Sequence, residues 1–216
     1  MPTGRNIGAI LLIVGVVLVM LTCIRFLQPQ RAAVELRNAE GQTVGHADIS
    51  QQTEGVRITV KVKGLTPGMH GIHIHDVFTC SPPNFTSAGG HYNPVGKKHG
   101  MNNPGGPHAG DMPNLVVGTD GTGTLDYINP RVTLAPEATN SLFKVNGTSL
   151  VIHAKADDEV TDPSGNSGPR IACGPIVKAG PSLAYGLLPP LLLAIAVTLL
   201  VIGSAALWSS RRKDTG

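Results

Sequence analysis

Residues 70–111, HGIHIHDVFTCSPPNFTSAGGHYNPVGKKHGMNNPGGPHAGD, constrain this chain more than any other stretch, because they hold six of its eight histidines. His73 and His75 are two residues apart. On a strand both rings leave by one face, while Ile72 and Ile74 leave by the other. One face is then free to bind and the other to pack. The remainder, residues 80–115, is dense in Gly, Pro and Asn and carries no helical or strand period. A loop of that length inside a compact domain has a function or is disordered. Its histidines and Asp111 argue that a metal ion organises it.

Short alternating runs surround this stretch. Residues 32–36, 43–49, 56–62, 69–74, 114–117, 122–128, 141–145, 149–153 and 170–177 read as strands, separated by turns such as NAEGQ, TEG and LTPG. No run of period 3.6 lies between the ends of the chain. The expected class is all-β, an antiparallel barrel or sandwich with two long functional loops. The second of these loops, residues 156–169, is acidic and turn-rich.

The ends read differently. Residues 7–24 and 186–208 are apolar runs long enough, at about 1.5 Å per residue, to cross or nearly cross a hydrocarbon layer of about 30 Å. The first reads as a signal anchor or a cleaved signal peptide within residues 1–25. The second, closed by Trp208, Arg211, Arg212 and Lys213, reads as a transmembrane helix with a basic cytoplasmic tail at 209–216. Linkers at 26–31 and 178–185 leave a domain at 32–177. The expectation is a Greek-key barrel flanked by transmembrane helices and contacting a lipid bilayer. It would sit at the cell membrane with the domain on the extracytoplasmic side, periplasmic or extracellular.

Charge excludes one class of partner. The chain is formally +3, but residues 26–182 carry twelve basic and thirteen acidic side chains. The basic balance belongs to the ends and gives no support to nucleic-acid binding. Cys80 and Cys173 lack CxxC spacing, which argues against a thiol-redox enzyme. In an exported domain they would pair rather than stay free.

His91, His99, His108 and Asp111 are spaced by eight, nine and three residues within the long loop. Three imidazoles and a carboxylate suit an ion that takes four tetrahedral ligands, which points to zinc. His73, His75 and His153, from two strands and without a thiolate, suit an imidazole-rich copper site. Together with HGIHIH, AGGHYNP, KHG, GGPHAGD, VIHAKADD and GNSGPRIACG in this order, the chain from about 34 to 176 resembles the copper/zinc superoxide dismutases. The short segments between His75 and Cys80 and between Asp157 and Arg170 resemble bacterial members most.

That resemblance implies one copper and one zinc ion per chain. Copper falls on His73, His75, His91 and His153, and zinc on His91, His99, His108 and Asp111, with His91 bridging the two. It implies Asp157 as the carboxylate linking a copper ligand to a zinc ligand, and a Cys80–Cys173 disulfide. His91 and Arg170 fall at catalytic positions, His91 as proton donor and Arg170 as the cation that orients the anionic substrate, superoxide. The implied reaction is dismutation to dioxygen and hydrogen peroxide by alternating Cu(II) and Cu(I). The competing reading is a non-catalytic copper and zinc module for storage or delivery. A homodimer and a copper donor are further partners that the resemblance suggests, without fixing an interface. His46 reads as a strand-surface residue, and His70 as packing beside the ligand strand.

Overall fold

A computed structural model describes residues 14–17 and 30–180. Residues 29–179 form one compact unit. Its strands are β1 (Arg31–Asn38), β2 (Thr43–Gln52), β3 (Gly55–Val62), β4 (Gly68–His70), β5 (Ile72–His75), β6 (Leu115–Val117), β7 (Gly123–Asn129), β8 (Ser149–His153), β9 (Arg170–Pro175) and β10 (Val177–Lys178).

Alternation sets the wall of the domain. In β3, Val56, Ile58, Val60 and Val62 are buried, while Arg57 and Lys61 face solvent. β3 pairs antiparallel with β2 through Ile58–Ile49 and with β7 through Ile58–Tyr127, so the apolar sets fall in register on one face. A one-residue slip would expose all of them. Burying a side chain such as Ile58 completely stabilises the fold by about 1.5–3 kcal/mol.

The sheet order is β4-β6-β7-β3-β2-β1-β9-β8-β5, antiparallel at every pairing, with β10 added to β1. The two ends of this order, β4 and β5, are separated in the chain by Gly71 alone. The strand expected at 69–74 is therefore two strands, and passing from one to the other curls the sheet into a near-barrel. Gly71 permits that crossing. A Cβ there would lie 2.8 Å from the Ser167 side chain and 3.1 Å from the His73 ring. Its N–H donates to Lys155 O, and its carbonyl accepts the N–H of His153, each at 2.8 Å.

Residues 141–145 do not form the expected strand. Ser141 makes a single bridge to Thr133, and its hydroxyl accepts the N–H of Phe143. A Lys144–Gly147 turn follows, and Val145 is fully exposed. Side-chain acceptance of backbone donors competes with a ladder here.

The expectation of flanking transmembrane helices is corrected. Among the described residues no helix is long and apolar enough to cross a membrane. The helical residues described in the first apolar run are 14–17, a single turn, and the rest of both runs lies outside the described residues. Spanning requires about 20 residues of continuous helix to satisfy every backbone donor and acceptor, which hydropathy alone does not supply. The membrane segments, the lipid-bilayer partner and the membrane-bound extracytoplasmic location are withdrawn with it. The anchor or signal-peptide reading of 1–25 also lies largely outside the described residues.

Candidate metal centre

β5 is buried on both faces, with Ile72 and Ile74 in the core and His73 and His75 beneath the loops. The loop at 80–115 holds its place by pairing with β5 rather than by secondary structure of its own. Apart from a 3₁₀ turn at Thr86–Ala88, its regular contacts are single bridges, His75 with His91 and His73 with Asp111. Tyr92 N donates to Ile74 O at 2.8 Å, Ile74 N to Gly110 O at 2.9 Å and Asp76 N to Gly90 O at 2.9 Å. Each bridge sets a loop member of the expected ligand set opposite a strand member of it.

His73, His75, His91 and His153 each offer a ligand atom within 4.8 Å of the others'. Hydrogen bonding fixes which nitrogen each presents. His75 Nδ1 faces Gly89 O and His153 Nδ1 faces Gly168 O, both at 3.0 Å. A carbonyl only accepts, so both Nδ1 atoms carry the proton and both Nε2 atoms keep a lone pair. His73 Nε2 lies 2.7 Å from Asp157 Oδ2, which leaves Nδ1. These atoms, His73 Nδ1, His75 Nε2, His91 Nε2 and His153 Nε2, are buried without a hydrogen-bond partner. Four such acceptors facing one point cost free energy unless a cation meets them.

The second cluster gathers on one oxygen. Asp111 Oδ1 lies 2.9 Å from His91 Nδ1, 3.1 Å from His99 Nδ1 and 3.3 Å from His108 Nδ1. Asp111 Oδ2 accepts the N–H groups of Gly100 and His108, each at 2.9 Å, which turns Oδ1 inward. A tetrahedral zinc with ligands at about 2.0–2.1 Å has ligand–ligand edges of about 3.3 Å, so the donor set fits that ion. His73 also reaches a four-residue grouping with His91, His99 and Asp111. Its one free nitrogen already faces His75 and His153, whereas His108 Nδ1 has no partner besides Asp111 Oδ1, which leaves His108 free to join the second set.

Asp157 joins the clusters, with Oδ2 to His73 Nε2 and Oδ1 at 3.0 Å from His99 Nε2. Asn114 holds it in place, accepting Asp157 N–H at 2.7 Å and donating to its carbonyl at 2.9 Å. Such outer carboxylates fix tautomer and ring orientation.

Burial pulls the imidazoles down, His73 to about 3 and His153 to about 4, and it lowers His75 and His91 as well. His99 moves the other way. Burial opposes its charged form, but hydrogen bonds to Asp111 and Asp157 outweigh it and raise the ring to about 9. Burial likewise works against ionised Asp111 and Asp157, yet the histidines bonded to them hold both well below the usual carboxylate range.

Arg170 opens β9, opposite His153, and donates to Phe85 O and Gly89 O at 2.6 Å each. Gly89 O thus serves both His75 and Arg170. Cys80 and Cys173 form a disulfide, with Cα atoms 5.7 Å apart, that ties the loop to β9 over a small cluster of Phe85, Ala88 and Val151. Sequence reasoning gave His70 too small a part. It is buried, with Nδ1 2.7 Å from His153 O and Nε2 2.8 Å from Thr66 O, so it clamps the backbone of a site residue. The signal was a histidine in phase with the inward-facing Ile72 and Ile74, where a polar ring must find partners. His46 is exposed on β2, as expected.

The family described as copper/zinc superoxide dismutase matches residues 43–176. The chain is 50% identical over 152 residues to Superoxide dismutase [Cu-Zn] 2 of Aquifex aeolicus, covering 70% of this chain and 89% of that one. The crystal structure of a SOD-like protein from Bacillus subtilis matches at 43% identity with a TM-score of 0.64, over 66% of this chain and 96% of that one. The Cu/Zn superoxide dismutase from Brucella abortus matches at 30% identity and a TM-score of 0.56, over 67% and 98%. The chain belongs to the copper/zinc superoxide dismutase family and is of its bacterial type. It is an enzyme that converts two superoxide anions and two protons to dioxygen and hydrogen peroxide, and its His/Asp cluster is of that family's metal-ligating kind.

Proposed function

We propose that this dismutase holds one copper and one zinc ion per chain and that residues 32–177 are its catalytic domain. Copper is assigned to His73 Nδ1, His75 Nε2, His91 Nε2 and His153 Nε2. Zinc is assigned to His91 Nδ1, His99 Nδ1, His108 Nδ1 and Asp111 Oδ1. When bound, copper supplies the one-electron couple between Cu(II) and Cu(I), and zinc a fixed positive charge. His91 is the one ring placed in both sets, so its Nε2 is the atom that takes up and returns a proton as superoxide becomes hydrogen peroxide. Arg170, held on two carbonyls, draws in and orients the anion as a permanent cation. Asp157 keeps the His73 and His99 rings turned so that both Nδ1 atoms face inward.

The observation that carries this assignment is the set of buried imidazole nitrogens with no partner, each on a ring whose other nitrogen is committed. Metal analysis of the purified full chain is expected to give one copper and one zinc. His153→Ala should abolish superoxide consumption and keep zinc, and Asp111→Asn should lose zinc first. Unchanged zinc in Asp111→Asn, or full activity in His153→Ala, would sink the assignment.

A further inference from the structure

The end of β7 runs into Asn129-Pro130-Arg131, directly beneath the loop that carries His99, His108 and Asp111. Buried Asn129 donates from Nδ2 to Ala109 O at 2.8 Å, and its Oδ1 accepts the N–H of Arg131 at 3.0 Å. Arg131 then turns its guanidinium onto the loop. Nη2 lies 2.7 Å from Asp111 O, 3.1 Å from Tyr127 Oη and 3.6 Å from Met101 Sδ. Its Nε is buried without a partner. Among the described residues, no carboxylate lies within ion-pair distance of Arg131.

A half-buried cation without a carboxylate is costly to keep, and an apolar side chain would pack there more cheaply. What the guanidinium gains is reach. Met101 stands two residues beyond His99, and Asp111 is the last residue of the set, so one nitrogen meets both ends of the ligand-bearing segment and a tyrosine of the barrel wall. Fixing the Asp111 carbonyl fixes the peptide from which its side chain departs. Oδ1 meets three imidazoles at 2.9–3.3 Å, so a shift of a few tenths of an ångström there would be felt at all three.

We propose that Arg131 is a positioning residue for the zinc half-site, pinning both ends of the 99–111 segment to the barrel and so setting the geometry and retention of the ion. The proposal rests on the assignment of His91, His99, His108 and Asp111 to zinc. Its action is on the loop backbone, and it touches neither copper nor substrate.

The test uses the full chain loaded with metal. Zinc release to a chromophoric chelator is followed for wild type, Arg131→Gln and Arg131→Lys, and the ligand-field bands of Co(II) at the zinc position are recorded at saturating cobalt. Outer-shell changes at metal sites cost about 10–100-fold in affinity. Arg131→Gln is therefore expected to release zinc at least about tenfold faster, with altered cobalt bands and copper content unchanged. Arg131→Lys, which keeps the charge and loses the fork, should fall between. Because cobalt is saturating, a loss of general stability would leave the bands in place, so unchanged bands with release within about twofold of wild type would overturn the proposal. If Arg131→Gln does not fold, Arg131→Lys carries the same comparison. Asp111→Asn is measured alongside. Wild-type zinc retention in that variant would overturn the zinc assignment and this proposal together. Loss of zinc there, with both Arg131 variants matching wild type, would overturn the positioning role alone.

Discussion

The two halves of the metal centre reach metal readiness by opposite electrostatics. In the half built on β5 and β8, burial keeps His73, His75 and His153 neutral, and the lone pairs that face one another have no protein donor. In the half built on the loop, Asp111 and Asp157 stay ionised and raise His99 to about 9, so near neutrality a proton occupies the place zinc would take. The first half is a strand site whose inward nitrogens carry no proton. The second is a loop site that carries its own counter-charge. A protonated His99 offsets the charge of the two carboxylates bonded to it.

The largest expected effects separate the halves by chemistry. His75→Ala removes one of the strand acceptors, and because zinc has no redox couple the loop half cannot substitute for it. Superoxide consumption should fall to background while zinc content holds near one per chain. Parallel activity and metal measurements check this, and zinc lost in step with copper would erase the distinction between the halves.

Next comes the covalent tie between loop and barrel. The Cys80–Cys173 bridge spans 93 residues, and a loop of that order restricts the unfolded chain by about 4–5 kcal/mol in the entropic account. Cys173→Ser should cost about 2–5 kcal/mol in denaturant unfolding of the metal-free chain. Copper retention should fall more than zinc retention, since the bridge lies beside Phe85, whose carbonyl holds Arg170. Equal loss of both metals would show that the bridge acts on the whole fold.

Asp157 joins the halves from outside both ligand sets, through His73 and His99, so Asp157→Asn should weaken both. An amide accepts through one oxygen only, and either His73 or His99 then loses its partner. A fall of about 10–100-fold in affinity for each metal is expected from competition titrations with chelators. A change confined to one metal would show that the link is one-sided.

How much of this was legible in the sequence follows the same division. Period-two runs such as residues 56–62 were readable because each side chain meets either core or water. The placement of His73 and His75 on one face followed from their spacing. The split at Gly71 was not readable, because it depends on Ser167 and Asp157 approaching that backbone from a distant part of the chain. The clamps of His70, Asn114 and Arg131 escaped for a related reason: each acts on a backbone carbonyl, and a carbonyl leaves no mark in the sequence. The apolar ends pointed to spanning helices because hydropathy records transfer preference alone, and among the described residues no helix is long and apolar enough to cross a membrane.

The expected effect narrowest in origin lies on the alkaline side and belongs to one proton. In the metal-free chain, His99 binds its proton more tightly folded, at about 9, than unfolded, at about 6.5. Its contribution is then fully present below pH 6.5 and is lost as pH rises through 9. The neutral histidines have the opposite sign. His73 at about 3 and His153 at about 4 stay unprotonated in the fold, while the unfolded chain takes up protons below about 6.5, so stability falls as pH drops from there toward 4 and 3. The metal-free chain should therefore be most stable near pH 6.5, with a shallow decline toward pH 9 read from denaturant midpoints. On the proposed assignment zinc would displace the His99 proton, so zinc loading should flatten the alkaline decline, and His99→Gln should flatten it without zinc. An alkaline decline that persists in His99→Gln would show that the proton sits elsewhere and that the loop half is neutralised by some other group.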